Sequence, residues 1–193
     1  MFAFIESKDI RFSDCLLWKN DVSAGFNQFN FYPPDARLMA TSIDGATLIY
    51  LVGPFGWAGS SFCFDPFSRA LGRLINRSIT GTADIYVDDF SAMSPIGSAA
   101  QDQAVAESPI TECFGPYSLS DKIDRPATHG EIIGFEVDLL RETIRPSDKA
   151  VRKLQTAFLS CDVHMRYPVR FWQIQASLAE RYSHVINGMR AFV

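Results

Sequence analysis

The sequence predicts an α+β fold in which a mixed or antiparallel sheet is backed by helices and followed by a small helical region. Two observations lead there. Short apolar runs of period two close on turn residues around Asp44-Gly45 and Asp88-Asp89, and a third recurs over 130–140, which is the pattern of hairpins. Between and after them, 60–77, 99–107, 147–159 and 168–189 read as helices. A chain of 193 residues, 47% of them hydrophobic, can bury a substantial core as one domain, or as one domain with a small appendage.

In chain order, Leu16-Leu17-Trp18 begins a buried strand that ends on Asp21, and a turn with a short helix carrying Phe26 follows. At a strand end, Asp21 also fits a helix N-cap. Pro33-Pro34-Asp35 closes this element. Residues 38–52 form a hairpin about Asp44-Gly45, with Ala46–Val52 as its β-branched return. Gly53-Pro54-Phe55-Gly56-Trp57-Ala58-Gly59 is a loop, and Ser60-Ser61 offers the cap of a helix through Phe64, Phe67, Leu71 and Leu74 to Arg77.

Ile85 and Val87 then share one face of a strand, Asp88-Asp89 form a two-acid tip, and Phe90 begins the return. Such a tip can simply face water. Adjacent carboxylates also repel unless a cation lies between them, and Mg²⁺, a hard cation that takes oxygen ligands, suits them. A helix over 99–107 ends at Ser108-Pro109, and Gly130–Leu140 is another strand or hairpin. Ser147–Leu159 carries Val151, Leu154 and Phe158 on one face. Pro168–Met189 carries Ile174, Leu178, Tyr182 and Val185, with Pro168 in its first turn.

Charge and cysteine usage bound the function. The net charge is −4, but residues 141–193 hold nine basic against four acidic side chains, which leaves −9 for residues 1–140. An acidic body beside a basic tail suits a cation site next to a phosphate-binding surface, or an ordinary helix with a solvated charged face. Cys15, Cys63, Cys113 and Cys161 form no Cys-x-x-Cys pair, so they read as reduced, mostly buried thiols rather than as a zinc or disulfide framework. Mean hydropathy is +0.02, yet no apolar run reaches the length of a membrane span. Met1–Asp9 lacks the features of a signal peptide, so a cytoplasmic or nuclear location is expected.

In type and order, these segments resemble the palm of a reverse transcriptase. Lys19-Asn20-Asp21-Val22-Ser23-Ala24-Gly25-Phe26 looks like that family's first aspartate motif. Gly53–Phe64 looks like its Pro-x-Gly-x-x-x-Ser loop, and Tyr86-Val87-Asp88-Asp89 like its Tyr-x-Asp-Asp hairpin. Ile132–Asp138 resembles the primer-grip segment. The tenor of the segments is similar to retrotransposon enzymes of the gypsy-like or DIRS-like kind, over about residues 15–190.

The resemblance implies RNA-directed DNA synthesis, with residues 1–140 as the palm and 141–193 as a thumb-like connection. Asp21, Asp88 and Asp89 would be catalytic and metal-binding, around two Mg²⁺ ions or Mn²⁺ in their place. Asp89 is the weaker ligand candidate, since neighbouring side chains in a strand point to opposite sides. Phe26 corresponds to the aromatic gate against a ribose 2′-hydroxyl, and equally fits a core phenylalanine. Phe55, Gly56 and Trp57 would lie beneath the incoming base and template, with packing as an alternative for Trp57. Tyr86 belongs to the same substrate site. Lys122 would meet phosphate or pyrophosphate, or is one more exposed lysine. Lys149, Arg152 and Lys153 would touch the nucleic-acid backbone.

The implied partners are an RNA or DNA template-primer, deoxynucleoside triphosphates and remaining polyprotein regions such as fingers and RNase H, with no membrane. Departures from the family pattern are Asn20, Gly25 and Ser61, where an apolar residue, alanine and proline are usual. Only 20 residues precede Asp21, so the fingers look largely missing and the chain is expected to be a fragment of a longer polyprotein. The alternatives are an inactive relic that keeps the fold, or a cyclic-dinucleotide synthase. The latter is disfavoured by the lack of a Gly-Gly-acid-acid-Phe hairpin.

Overall fold

A computed structural model describes residues 10–121, 124–162 and 164–183. The chain forms two compact units, Met1–Ala127 and Thr128–Val193.

In the first unit, β1 (Cys15–Asp21) lies inside an antiparallel sheet with β4 (Thr82–Tyr86), β5 (Asp89–Pro95) and β6 (Asp124–Ala127), in the order β4-β5-β1-β6. With β5 on one side and β6 on the other, both edges of β1 are paired, and its Cys15, Leu17, Trp18 and Asn20 are buried. Helices α2 (Ala58–Ser78) and α3 (Ala99–Phe114) pack on each other, α2 also against β4 and α3 against β1, β5 and β6. Trp18, Phe64, Ile75, Phe90 and Ile110 make the centre of this core, each 2% exposed or less. Burying side chains of this size contributes roughly 1.5–3 kcal/mol apiece. The Trp18 indole N–H donates to Ser94 Oγ at 3.0 Å, so its polar edge is satisfied inside the core.

A short helix α1 (Pro33–Ala36) precedes the hairpin of β2 (Ala40–Ile43) and β3 (Ala46–Ile49). Its two-residue turn has positive φ at both Asp44 and Gly45, as the Asp-Gly pair demands.

Several expectations need correcting. The helix expected to be capped by Ser60-Ser61 starts at Ala58, with Trp57 before it. Ser60 is buried instead, and its hydroxyl donates to Pro54 O at 2.7 Å, fastening the preceding loop. Pro109 does not end α3, which runs on to Phe114. Its last turn is held by packing: Ile110 is fully buried, and Phe114 stacks on Phe64 with ring centroids 5.5 Å apart. The tip of the acidic hairpin is Val87-Asp88 rather than Asp88-Asp89, because Asp89 already pairs with Tyr86 as the first residue of β5. Of the four thiols, all free, only Cys15 is fully buried, and Cys113 is exposed.

The second unit holds the sheet β7 (His129–Ile132), β8 (Phe135–Asp138) and β9 (Thr143–Pro146), then α4 (Asp148–Leu159) and α5 (Val169–Tyr182). The expected boundary at 140 therefore falls between two strands of one sheet. Ser147 caps α4, its Oγ accepting from Ala150 N at 3.4 Å. Ala150, Leu154 and Tyr182 pack with Phe135 and Leu178 as a small core. On α5 Tyr182 is buried and Leu178 packs beside it as expected, while Ile174 is 53% exposed and Gln175 and Ala179 complete the buried face in its place. The stretch of that expected helix beyond Ser183 lies outside the described residues. Among the described residues no helix is long and apolar enough to cross a membrane.

Candidate functional site

The site grows from the pairing of β1 with β5. Their register sets Asp21 directly opposite Asp89. Cross-strand partners project from the same face of a sheet, so two carboxylates far apart in sequence become neighbours. Asp88 sits at the hairpin tip beside them, where its carbonyl accepts from Val22 N at 3.0 Å. The expectation that strand alternation would turn Asp89 away from Asp88 does not apply, because Asp88 belongs to the turn and Asp89 shares its face with Asp21.

The tip is under strain. Val87 has φ of +60°, a left-handed conformation that a β-branched residue rarely adopts. It is held there from outside the hairpin, since Ser68 Oγ on α2 donates to Val87 O.

The electrostatics follow from burial first and crowding second. Burial foremost, then the charges of Asp21 and Asp89, push the Asp88 carboxyl above its ordinary value, against the opposing pull of its own backbone N–H and of Lys19. Burial likewise raises Asp89, with Asp21 and Asp124 adding to the rise and Lys19 working against it. Lys19 Nζ lies 2.9 Å from Asp89 Oδ2. Asp89 Oδ1 is buried and has no hydrogen-bond partner among the described residues. Among those residues no three acidic, histidine or cysteine side chains are already gathered closely enough to enclose an ion.

Gly25 bounds the other side of Asp88. A Cβ built on it would stand 2.7 Å from Asp88 Cβ, so only glycine leaves room there. The next residue, Phe26, is half-buried against Phe55 at 5.1 Å and Phe64 at 6.0 Å between ring centroids. Phe55 is 65% exposed and Tyr86 59%. Gly56, with φ of +89°, is exposed and would have open space around a side chain. Trp57 packs on Phe31 with centroids 5.5 Å apart and covers Gly59.

The structure thus places Asp21, Asp88 and Asp89 as neighbours at one end of the β1–β5 pair without closing them around an ion, and joins Phe26 and Phe55 to them through Gly25. Lys122 lies outside the described residues. Lys149, Arg152 and Lys153 are exposed on α4 in the second unit. A cleft of about 430 Å³ between α3 and the segment before β6, lined by Gln103, Glu107, Leu119 and Arg125 among others, contains none of the three catalytic candidates.

Sequence reading missed Lys19, Asp124 and the spatial role of Gly25. Lys19 stands two residues before Asp21, on the same face of β1, and that alternation was a usable signal. Asp124 pairs with Lys19 from β6, a strand with no apolar pattern to announce it. Asn20, the departure next to Asp21, is fully buried, and its Oδ1 accepts from Gln103 Nε2 at 3.2 Å. The same amide reaches Asp124 O at 2.9 Å and so ties α3 to both strands.

No protein-family model matches the chain, and no curated protein matches it in sequence. Solved structures do. A foamy viral protease-reverse transcriptase bound to double-stranded DNA superimposes with a TM-score of 0.66 at 15% identity over 91% of this chain and 29% of that one. The fold is reverse-transcriptase-like. A foamy viral protease-reverse transcriptase bound to an RNA/DNA hybrid gives a TM-score of 0.59 at 15% identity, over 86% of this chain and 21% of that one. A further double-stranded DNA complex gives 0.56 at 14%, over 91% and 36%. The chain therefore spans about a fifth to a third of the length of these reverse transcriptases, and at such identities the likeness is one of fold.

Proposed function

We propose that this chain is the RNA-directed DNA polymerase domain of a retrotransposon polyprotein, gypsy-like or DIRS-like, adding deoxynucleotides to a primer 3′-hydroxyl on an RNA or DNA template. The observation that carries the reading is the register that sets Asp21 against Asp89 with Asp88 at the adjoining tip. The reverse-transcriptase-like fold, and the nucleic acids bound by the foamy viral proteins, support it. In this reading the first unit contains the palm, and α4 and α5 are thumb-like.

The donor set fits Mg²⁺. It is all carboxylate oxygen, burial first and neighbouring carboxylates second raise the pKa values of Asp88 and Asp89, and it includes a buried oxygen with no partner among the described residues. Asp21 and Asp88 would be the principal ligands of two ions, with Mn²⁺ as a substitute. Bound there, the ions would polarise the 3′-hydroxyl and neutralise the triphosphate and the leaving pyrophosphate.

The chain's own side chains do the rest. Phe26 is braced by Phe55 and Phe64, so its ring cannot yield easily to a 2′-hydroxyl and selects deoxynucleotides. Phe55, exposed over Phe26, offers a face to a base, with Gly56 and Trp57 beside it and Tyr86 at the hairpin. Lys122 meets phosphate. Lys149, Arg152 and Lys153 neutralise the backbone of the template-primer, which makes binding weaken steeply as salt rises.

Primer extension on a primed RNA template, with Mg²⁺ and deoxynucleotides, tests the reading. The parent chain is expected to extend the primer and Asp21→Asn is not. Equal extension by both would assign the chemistry elsewhere. Gly25→Ala supplies a finer check. The added methyl must push Asp88 aside, and a displacement of about 1 Å in a reacting constellation costs on the order of a hundredfold in rate. The variant should extend slowly and melt somewhat below the parent, and a Gly25→Ala chain with parental kinetics would mean that Asp88 does not have to stay where it is.

A further inference from the structure

Lys19 is a cation set among acids. On β1 it stands opposite Ser91 of β5 on one side and Asp124 of β6 on the other, with Asp21 two residues on. Its ammonium reaches diagonally across the β1–β5 pair to Asp89 Oδ2 at 2.9 Å, and both side chains are about four-fifths shielded from water. A lysine spends rotamer freedom and hydration to be held there, so its position has a consequence for whatever the carboxylates bind.

Two consequences follow from the geometry. The contact occupies Asp89 Oδ2, so that oxygen is not free for another cation. The fixed positive charge also cancels part of the field that would draw a divalent ion to Asp21 and Asp88.

We propose that Lys19 is a positioning residue, a built-in counter-cation that ties up Asp89 Oδ2, leaving only the buried Oδ1 of that carboxylate, and keeps the divalent affinity of the nucleotide-free site low. Asp21 and Asp88 then remain as the inner ligands. This rests on the polymerase reading above and deepens it. Mg²⁺ is retained poorly by one or two carboxylates alone and well when phosphate oxygens complete its shell. A site weakened by Lys19 therefore fills when a triphosphate arrives with its ion, and stays sparsely filled before that. Asp89, by the same logic, serves through Oδ2 to order Lys19 and the strand end.

The test is Mn²⁺ binding by calorimetry, with no nucleotide or nucleic acid present, on the parent chain and on Lys19→Met, Lys19→Gln, Lys19→Arg and Asp88→Asn. Removing a unit charge a few ångströms from the site is expected to tighten Mn²⁺ binding about tenfold in Lys19→Met. Lys19→Gln, which keeps a donor for Asp89 and so guards against misfolding, should tighten it by less. Lys19→Arg should match the parent. In an Asp89→Asn background, where no second oxygen anion remains to be released, Lys19→Met should gain clearly less. The direction is diagnostic, because structural damage loosens a metal site. Lys19→Met and Lys19→Gln binding at or below the parental affinity would overturn the proposal. If Asp88→Asn abolishes binding while the Lys19 variants equal the parent, only this proposal fails. Binding indifferent to Asp88→Asn would remove the metal site itself, and the polymerase reading with it.

Discussion

An Asp88→Asn chain is expected to lose primer extension by about a thousandfold or more and, in the same preparation, to melt above the parent. The loss follows from the role proposed for the carboxylate. A group that holds a catalytic cation contributes several kcal/mol to the transition state, and each 1.36 kcal/mol is about tenfold in rate. The gain follows from its surroundings. Asp88 is half-buried at a strained tip, and burial, Asp21 and Asp89 all disfavour its charge. Asparagine has nearly the same shape and no charge to desolvate.

The pH dependence fixes the sign. Asp88 has a folded pKa above its unfolded value, so the folded state holds the proton more tightly. The stabilisation that protonated Asp88 provides is complete below the unfolded value of about 3.9 and is lost as pH rises through the higher folded value. At neutral pH, with a chelator present, the ionised carboxylate is a net cost that asparagine lacks. The melting advantage of Asp88→Asn should therefore be largest near pH 7 and shrink on acidification. A variant that melted below the parent at pH 7 would contradict the electrostatic account, and one that extended primers normally would contradict the catalytic one.

Which parts of the fold and of the candidate site are legible in the sequence comes down to which signals are local. Asp44-Gly45 announces its turn because few residue pairs accept positive φ at both positions. The acidic hairpin was legible as a hairpin, but its tip shifts by one residue because Phe90, 1% exposed, must pair with Ile85 to reach the core. That register forces Val87 into the left-handed region, a cost that no propensity would predict. Pro109 reads as a stop, yet the contact of Phe114 with Phe64 outweighs it. The strands β6 and β9 carry Asp124-Arg125-Pro126-Ala127 and Thr143-Ile144-Arg145-Pro146, with little alternation to read. They are strands because β1 and β8 have edges to satisfy. At the site, the three aspartates were visible as residue types with a spacing. Lys19 was not, since a lysine within a strand looks like a solvent-facing residue until the partner strand supplies Asp89.

Asp102→Ala should be the most damaging single change to the stability of the first unit, lowering it by about 3 kcal/mol, since it deletes a buried charge that several donors address at once. Asp102 lies in the first turn of α3 and is 3% exposed. Its Oδ1 accepts from Thr80 N at 3.1 Å, and its Oδ2 from Gly81 N and Thr80 Oγ1, both at 2.9 Å. Ser94 also bonds to it, and Ser94 Oγ in turn accepts from the Trp18 indole. One carboxylate thus joins α3, the entry to β4, β5 and β1. Alanine would leave two backbone N–H groups without an acceptor and loosen the strand pair that carries Asp21 and Asp89.

Burial alone would raise the Asp102 pKa, but the bonds from Ser94, Thr80 and Gly81 outweigh it and the net shift is downward. A lowered folded pKa places its stabilisation above the unfolded value, and that contribution is lost as pH falls through the folded one. Urea unfolding should therefore separate parent from Asp102→Ala widely at pH 7 and progressively less below about pH 4. Asp102→Asn keeps one acceptor oxygen but turns the other into a donor that faces Gly81 N and Thr80. It should fall between parent and alanine. Equal midpoints for parent and alanine variant at pH 7 would mean that water replaces the carboxylate without loss, and that the junction of α3 with the sheet is held by its apolar contacts alone.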